Sequence, residues 1–351
     1  MKEYLFVLGR DKELALLELE SKFSADCIKC IKGNFAVVET DGKIAIDEFG
    51  GITKIGKLVK DYNEIVFDKD KITYSFFGGK REFLLLKDRL KEEKVKASFR
   101  RFDYSPGNVD LELIQFDNKL FLIEQASNPR EYKLRDENRP RFDAKKVISI
   151  RLARMMINFS KAEKCILDPF CGNGTILQEG LLMGKDVIGM DRNIKEAREN
   201  LNWLKRNFNF NGEFKLIEGD ANRLTEYFDR VECVVTEPYM GPYFKKLPSV
   251  GKGKRVMRSL MQLYQGLFRE LGKIVDGRVV IILPAIRTYK KVIGGDFLNI
   301  AEGNGFKLVK SRLVELPISY NNPRAKVLRE IWVLQRAFSF SQKENPRTKE
   351  K

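Results

Sequence analysis

The chain of 351 residues contains no histidine. That excludes serine–histidine nucleophilic catalysis and any histidine general base. Cysteine is scarce too, with five in all: Cys27, Cys30, Cys165, Cys171 and Cys233. Only Cys27-Ile-Lys-Cys30 has metal or redox spacing, and no second pair completes a zinc site. The pair falls in an alternating, strand-like run, which would put its members on opposite faces. Both read as small structural residues, and no metal is expected. Acidic residues are the minority charge, 49 against 65 Lys and Arg, for a net charge of +16. That excess points to a polyanionic partner. No apolar run is long enough to span a bilayer. The opening Met1-Lys-Glu-Tyr-Leu-Phe lacks a signal-peptide shape, so a cytoplasmic location is expected. With 43% hydrophobic and 32% charged residues, the composition is globular, with core enough for two or three domains.

Residues 2–8 alternate as a strand, and a helical pattern from Asp11 carries Leu16, Leu19 and Phe23 on one face. A strand pair over Cys27–Thr40 and a run over Ile52–Leu58 complete a first α+β segment, 1–65. A second, 66–128, reads as strand Ile72–Phe77, amphipathic helix Glu82–Lys94, then strands Leu111–Phe116 and Leu120–Glu124. Basic residues gather on it: Lys80, Arg81, Lys94, Lys96, Arg100 and Arg101. Phe99, Phe102 and Tyr104 interleave with them, a mixture suited to phosphate contact with base stacking. A polar segment with two prolines follows, read as a linker over 129–147. Ile148–Phe159 is an amphipathic helix opening the last domain, 148–338, and 339–351 reads as a disordered basic tail.

The domain is organised around Ile166-Leu-Asp-Pro-Phe-Cys-Gly-Asn-Gly-Thr175. An apolar run stops at Asp168-Pro169, Gly172 and Gly174 follow at a spacing of two, and a helical period begins at Thr175. That is strand, tight glycine loop and helix. Strand candidates recur at 165–167, 186–190, 214–218, 231–236, 278–283, 306–315 and 327–335, with helices between the first five. The pattern predicts a doubly wound, mostly parallel sheet. The last two runs have no room for a crossover and must be antiparallel.

Acids stand at successive predicted strand ends. Asp191, with Arg192 beside it, closes the second strand, where a carboxylate can accept both ribose hydroxyls. Asp220 follows the third, placed to accept from an adenine amino group while Ala221 packs on the ring. Asp168 closes the first, where a cofactor's ammonium would sit. After the fourth strand comes Thr236-Glu-Pro-Tyr-Met-Gly-Pro-Tyr243. The lone pair of an exocyclic amine is delocalised into its ring. The segment resembles the loop of methyltransferases acting on such amines, which implies that Glu237 and a carbonyl flanked by Pro238 hold the amine's hydrogens and localise that lone pair. Tyr239, or failing it Tyr243, can stack on a flipped-out base. Lys245, Lys246, Lys252, Lys254, Arg255 and Arg258 then surround glycines, which reads as a mobile basic segment able to track a phosphate backbone.

The loop Asp168-Pro-Phe-Cys-Gly-Asn-Gly-Thr175 resembles the S-adenosylmethionine loop of amino-methyltransferases. The whole chain is similar to the THUMP-domain tRNA guanine-10 N2-methyltransferase family. Tyr4-Leu-Phe-Val-Leu8 and Gly50-Gly-Ile-Thr-Lys-Ile55 resemble its ferredoxin-like part, and Gly78-Gly-Lys80 the start of its THUMP fold. Arg135–Asp143 resembles the connector and Leu152–Asn158 the helix before the cofactor loop. The resemblance implies a Rossmann-like class I methyltransferase domain, a seven-stranded sheet with a terminal antiparallel pair, after an α+β RNA-binding region. It implies S-adenosyl-L-methionine held by Asp168, Pro169, Phe170, Gly172, Gly174, Thr175, Asp191, Arg192, Asp220, Ala221 and Glu237. Catalysis would fall to Glu237, Pro238 and Tyr239, and RNA binding to Lys80, Arg81, Arg100, Arg101, Lys245, Lys246, Lys252 and Lys254. The expected substrate is tRNA and the expected state a monomer; some relatives need a small activating subunit, and the sequence leaves that need open here. Three departures stand out. Glu237 replaces the usual Asp or Asn and Tyr239 the second proline, Val147-Ile-Ser-Ile150 lacks a proline-containing turn, and Ser105–Phe116 fits THUMP poorly. Amino-methyltransferases of rRNA or DNA share the loop, and a catalytically silent RNA-binding protein is the reading from another class.

Overall fold

The computed structural model describes residues 1–107, 109–142, 148–320 and 324–337. The tail expected over 339–351 and residues 143–147 of the connector lie outside the described residues. The contact pattern divides the chain into two units. The first is Met1–Phe142 with Ser149–Phe159 and Ser311–Val314, and the second is Asp143–Ile148, Ser160–Lys310 and Glu315–Lys351.

The first unit is built on eight strands: β1 Lys2–Leu8, β2 Ile28–Lys32, β3 Phe35–Thr40, β4 Ile52–Val59, β5 Lys71–Phe77, β6 Lys96–Arg100, β7 Leu111–Phe116 and β8 Lys119–Ala126. They form one sheet in the order β2-β3-β1-β4-β8-β7-β5-β6. Strand β1 shows why its apolar run is continuous. Alternate side chains point to opposite faces, and both faces are covered. Phe6 and Leu8 pack with Ala15 and Leu19 of helix α1, Lys12–Phe23. Leu5 and Val7 pack with Phe35, Ile114 and Phe121. Strand β4 pairs with β8 from Lys54↔Ala126 to Val59↔Leu120. The segments 1–65 and 66–128, distinct in sequence, therefore share a sheet. Helix α2, Lys80–Glu92, buries Leu86 and Leu90 on Tyr74 and Phe76.

Two segments differ from their sequence reading. The stretch read as a linker carries helix α3, Pro129–Asn138, started by Asn128, whose side chain accepts from the Glu131 N–H at 3.3 Å, and by Pro129. Cap and proline are ordinary start signals; the polar composition hid them. Helix α4, Ile150–Ser160, read as the opening of the last domain, packs within the first unit. Arg151 Nε donates to Gly50 O at 2.7 Å, and Asn158 Nδ2 donates to Glu18 Oε1 at 2.8 Å. Glu18 is fully buried and also accepts from the N–H groups of Gly50 and Gly51 at 2.8 and 2.7 Å.

The second unit has strands β9 Cys165–Asp168, β10 Asp186–Asp191, β11 Phe214–Glu218, β12 Cys233–Thr236, β13 Arg278–Arg287, β14 Val292–Ile293, β15 Phe306–Leu308, β16 Ile318–Tyr320 and β17 Val327–Arg336. The main path runs β11-β10-β9-β12-β13-β17-β15, with short β14 on β13 and β16 on β17. The first five of these are parallel, and β17 lies antiparallel between β13 and β15. This is the doubly wound sheet expected, with its antiparallel end, but among the described residues β14 and β16 bring it to nine strands where seven were expected. Helices α5 Thr175–Leu182 and α6 Lys195–Asn207 cover one face, with Leu177, Leu181, Leu201 and Leu204 buried. Helices α7 Val250–Ile274 and α8 Phe297–Gly303 cover the other, with Tyr264, Leu267, Phe268 and Phe297 fully or almost fully buried. Each such side chain contributes roughly 1.5–3 kcal/mol.

The strand read over Phe306–Glu315 stops at Leu308. Beyond it, Glu20 of the first unit accepts from Ser311 Oγ and from the Arg312 N–H at 2.9 Å, and Arg312 pairs with Asp26 at 2.6 Å. Ile318–Tyr320 takes the next place along β17 instead. The basic segment read as mobile is also different, because helix α7 begins at Val250. Ser249 caps it, accepting from the Lys252 N–H at 3.3 Å. Its Gly253 is a packing residue: a Cβ there would lie 2.8 Å from Ile293 Cδ1 and 3.0 Å from Thr288 Cγ2. Among the described residues no helix is long and apolar enough to cross a membrane.

Candidate active site

Strands β9, β10, β11 and β12 end side by side, and the loops that follow them wall a groove of about 540 Å³. Its lining includes Pro169, Phe170, Asp191, Arg192, Asp220 and Ala221 from the first three ends. Glu237, Pro238, Tyr239 and Met240 come from the fourth, with Leu263 of α7 and Arg329 of β17. A recess of about 60 Å³ shares Phe170 and Glu237 with it and is lined by Asp168, Gly172, Asn173 and Thr175.

The glycine loop is held from inside. Gly172 and Gly174 have φ of +51° and +86°, a region costly for any residue with a Cβ. The Gly174 N–H donates to Cys171 O at 2.7 Å, and Asn200 Nδ2 donates to Asn173 O at 2.8 Å. Gly172 offers its edge to the recess. Gly174 lines neither cavity: it enters α5 in a left-handed turn, where its absent Cβ would stand 3.5 Å from Ala197. Of the loop residues expected at a cofactor, Gly174 thus serves the turn.

Asp191 accepts from the Gly172 N–H at 2.9 Å, which ties the ends of the first two strands together. Asp220 accepts from the Asn222 N–H at 2.9 Å and pairs with Arg192 Nη2 at 2.9 Å. These contacts, the Asn222 N–H first, hold its carboxyl below the usual range. Asp168 is only 2% exposed. Its Oδ1 accepts from Thr236 Oγ1 at 2.7 Å and from the Phe170 N–H at 3.1 Å. Burial pushes its carboxyl up to about 7 against those donors, and the charges of Asp191 and Glu237 push the same way. Glu237 is paired with Arg329, Nε to Oε1 at 2.5 Å. Burial raises its carboxyl and the Arg329 charge opposes the rise.

The proline-flanked loop is braced from below. The buried Tyr264 hydroxyl donates to Tyr239 O at 3.0 Å. Tyr239 lines the groove with 58% of its surface exposed, whereas Tyr243, 83% exposed, does not line it. Three residues escaped the sequence reading. Thr236 is the last residue of a buried strand and carries no signal beyond its hydroxyl. Tyr264 sits on the apolar face of α7. Arg329 reaches the groove only because β17 pairs with β13, placing it opposite Pro284.

The expected RNA contacts fall in both units. Lys80 and Arg81 begin α2, Arg100 ends β6 and Arg101 follows it, all exposed. Phe99, 49% exposed, meets Tyr74 and Phe83 with ring centroids at 5.5 and 5.2 Å. In the second unit Lys245 and Lys246 precede α7, and Lys252 and Lys254 lie in its first turns, all exposed.

Residues 138–302 match the family described as UPF0020, RMKL-like, methyltransferase domain. That match covers a little under half of the chain. Among curated proteins, a tRNA (guanine(10)-N2)-dimethyltransferase of Pyrococcus abyssi is 29% identical over 51% of this chain and 49% of its own length. One of that name from Methanothermobacter thermautotrophicus is 36% identical over 36% of this chain and 37% of its own. The chain thus spans about half or less of the relatives it matches. Among solved structures, TrmN from Thermus thermophilus is 13% identical with a TM-score of 0.48, over 95% of this chain and 99% of that one.

The groove's acceptor set fits S-adenosylmethionine, the methyl donor that a match to a methyltransferase domain implies. Asp191 and Asp220 are acceptors spaced on adjacent strand ends for a ribose and an adenine amine. Asp168 and Glu237 face one recess with Arg329 as the cation paired to Glu237, so a positively charged ligand part would relieve Asp168.

Proposed function

We propose that the protein methylates the exocyclic N2 amino group of a guanosine in tRNA, of the position-10 type, with S-adenosylmethionine as donor. The observation that carries this is Glu237-Pro238 in the groove, directly beside the acceptor set of Asp168, Asp191 and Asp220. The names of the two archaeal relatives supply the base and the RNA class.

When bound, S-adenosylmethionine supplies an electrophilic methyl group whose carbon–sulfur bond breaks towards sulfur. Asp191 and Asp220 hold the nucleoside part, Ala221 and Phe170 flank it, and Asp168 faces the positive part. Tyr239 stacks on the flipped-out base. Glu237 accepts one hydrogen of the target amine. The Pro238 carbonyl serves as the second acceptor in this reading, Tyr239 O already accepting from Tyr264. Held by both, the amine keeps its lone pair out of the ring and aimed at the methyl carbon. The surplus N–H proton passes to the Glu237 carboxylate, which burial already inclines to protonation.

In this reading residues 1–65 and 66–128 are the ferredoxin-like and THUMP-like parts that grip the tRNA. Lys80, Arg81, Arg100, Arg101, Lys245, Lys246, Lys252 and Lys254 meet its phosphates. The enzyme works in the cytoplasm as a monomer, and a required activating subunit would appear as inactivity of the purified chain alone.

The test is tritiated-methyl transfer to total tRNA and to duplex DNA, with nucleoside mass spectrometry of the product. Glu237→Gln is expected to bind cofactor within about threefold of wild type and lose roughly 10²–10³ in transfer rate. Preference for DNA would overturn the RNA assignment, and absence of cofactor binding by calorimetry would favour a silent RNA-binding protein.

A further inference from the structure

The groove contains a charged residue that the methyl-transfer step does not require. Arg329 comes from β17, and its Nε sits 2.5 Å from Glu237 Oε1. Both side chains line the groove, 37% and 14% exposed, together with Tyr239. An ion pair meant only to stabilise the sheet would gain little here, because taking the Glu237 carboxylate out of water offsets its attraction to Arg329. A carboxylate and a guanidinium side by side in the wall of the groove form a pattern: two acceptor oxygens, then a fan of N–H donors.

Guanine shows the matching pattern along its Watson–Crick edge. N2–H and N1–H are adjacent donors, and O6 next to them is an acceptor. One carboxylate takes both donors, and a guanidinium beside it reaches O6. Adenine offers a donor at N6 but a lone pair at N1, which a carboxylate would repel. Cytosine likewise presents N3 as a lone pair beside its amine. We propose that Arg329 is a specificity-determining residue that, with Glu237, reads the N2–N1–O6 edge of guanine. The inference rests on the amino-methyltransferase reading of the site.

Arg329 has a second effect in the same direction. A protonated Glu237 could donate to N1 of adenine or N3 of cytosine while still accepting from the neighbouring amine. The Arg329 charge opposes the rise that burial gives the Glu237 carboxyl, and so favours the carboxylate on which the selective pairing depends. Losing Arg329 therefore weakens guanine and removes the penalty on the other edges.

The experiment compares single-turnover transfer, at saturating S-adenosylmethionine, to synthetic tRNA carrying guanosine or 2,6-diaminopurine at the position located by mass spectrometry. Diaminopurine keeps the N2 amine but presents a lone pair at N1 and a donor at position 6. Wild type is expected to prefer guanosine by about 100-fold or more, as a site with mismatched buried polar groups does. Arg329→Met is expected to lose roughly 10–100-fold on guanosine, the worth of one good bidentate contact, and less than about threefold on diaminopurine. Its cofactor dissociation constant by calorimetry stays unchanged. Arg329→Lys, which keeps the charge without the planar fork, falls between. Comparable wild-type rates on the two bases would overturn the inference without any variant. So would an unchanged guanosine-to-diaminopurine ratio in Arg329→Met. Wild-type transfer to adenosine or cytidine alone would remove the functional reading as well, which separates the two failures.

Discussion

Asp168 is expected to make the second unit less stable as the pH rises from about 4 to about 7, and Asp168→Asn to abolish that slope. The unfolded carboxyl has its ordinary value of 3.8, and the folded one is pushed up to about 7 by burial. Between these values the folded state holds a proton that the unfolded state has released. Stability therefore falls with rising pH across the window and is level above it. A shift of roughly three units corresponds to about 4 kcal/mol, with water entry and local relaxation reducing it. Asparagine keeps an oxygen for the Thr236 hydroxyl and the Phe170 N–H but never charges. At pH 8 the variant should be the more stable protein, and at pH 4 the two should nearly coincide. Calorimetric melting of the transition that S-adenosylhomocysteine shifts reads this directly. At about 2–4 °C per kcal/mol for a domain of this size, the difference at pH 8 approaches 10 °C. A cationic ligand favours the charged carboxylate, so S-adenosylmethionine binding near pH 6 should release protons from wild type and fewer from the variant. Titrations in two buffers of different ionisation enthalpy measure that release. Parallel stability profiles for the two proteins between pH 4 and 8 would refute the burial argument.

Three further outcomes follow from the geometry. Gly174→Ala forces a Cβ into φ +86° and should cost about 1–2 kcal/mol in denaturant unfolding, with the neighbouring Ala197 adding no clash at 3.5 Å. Glu18→Ala strands the buried N–H groups of Gly50 and Gly51 and should destabilise the first unit by roughly 2–5 kcal/mol. Lys252→Gln and Lys254→Gln should each weaken tRNA binding and lower the salt slope of the binding constant by about one, leaving cofactor affinity unchanged; an unaltered slope would remove them from the interface.

What was local could be read along the chain. The glycine loop, the strand-end acids Asp168, Asp191 and Asp220, and Glu237-Pro238 each follow a short apolar run at fixed spacing, and all but Gly174 line the groove or its recess. Gly253 in the basic run misled because close packing and mobility call for the same residue; only the neighbours Ile293 and Thr288 show that packing applies. The run Phe306–Glu315 had strand periodicity throughout, yet Glu20 draws Ser311 and Arg312 out of the sheet.

Period, turn chemistry and charge therefore determined the element types, the sheet's winding and the class of ligand, since these depend on residues within a few positions of one another. Tertiary structure alone decided the partners. Glu237 and Arg329 are 92 residues apart and meet because β17 runs antiparallel to β13. Helix α4 precedes the second unit's first strand and yet packs within the first unit, through Arg151 and Asn158. A hydrogen bond between distant segments leaves no mark on local spacing, so the acceptor loop was visible in sequence and the arginine beside it was not.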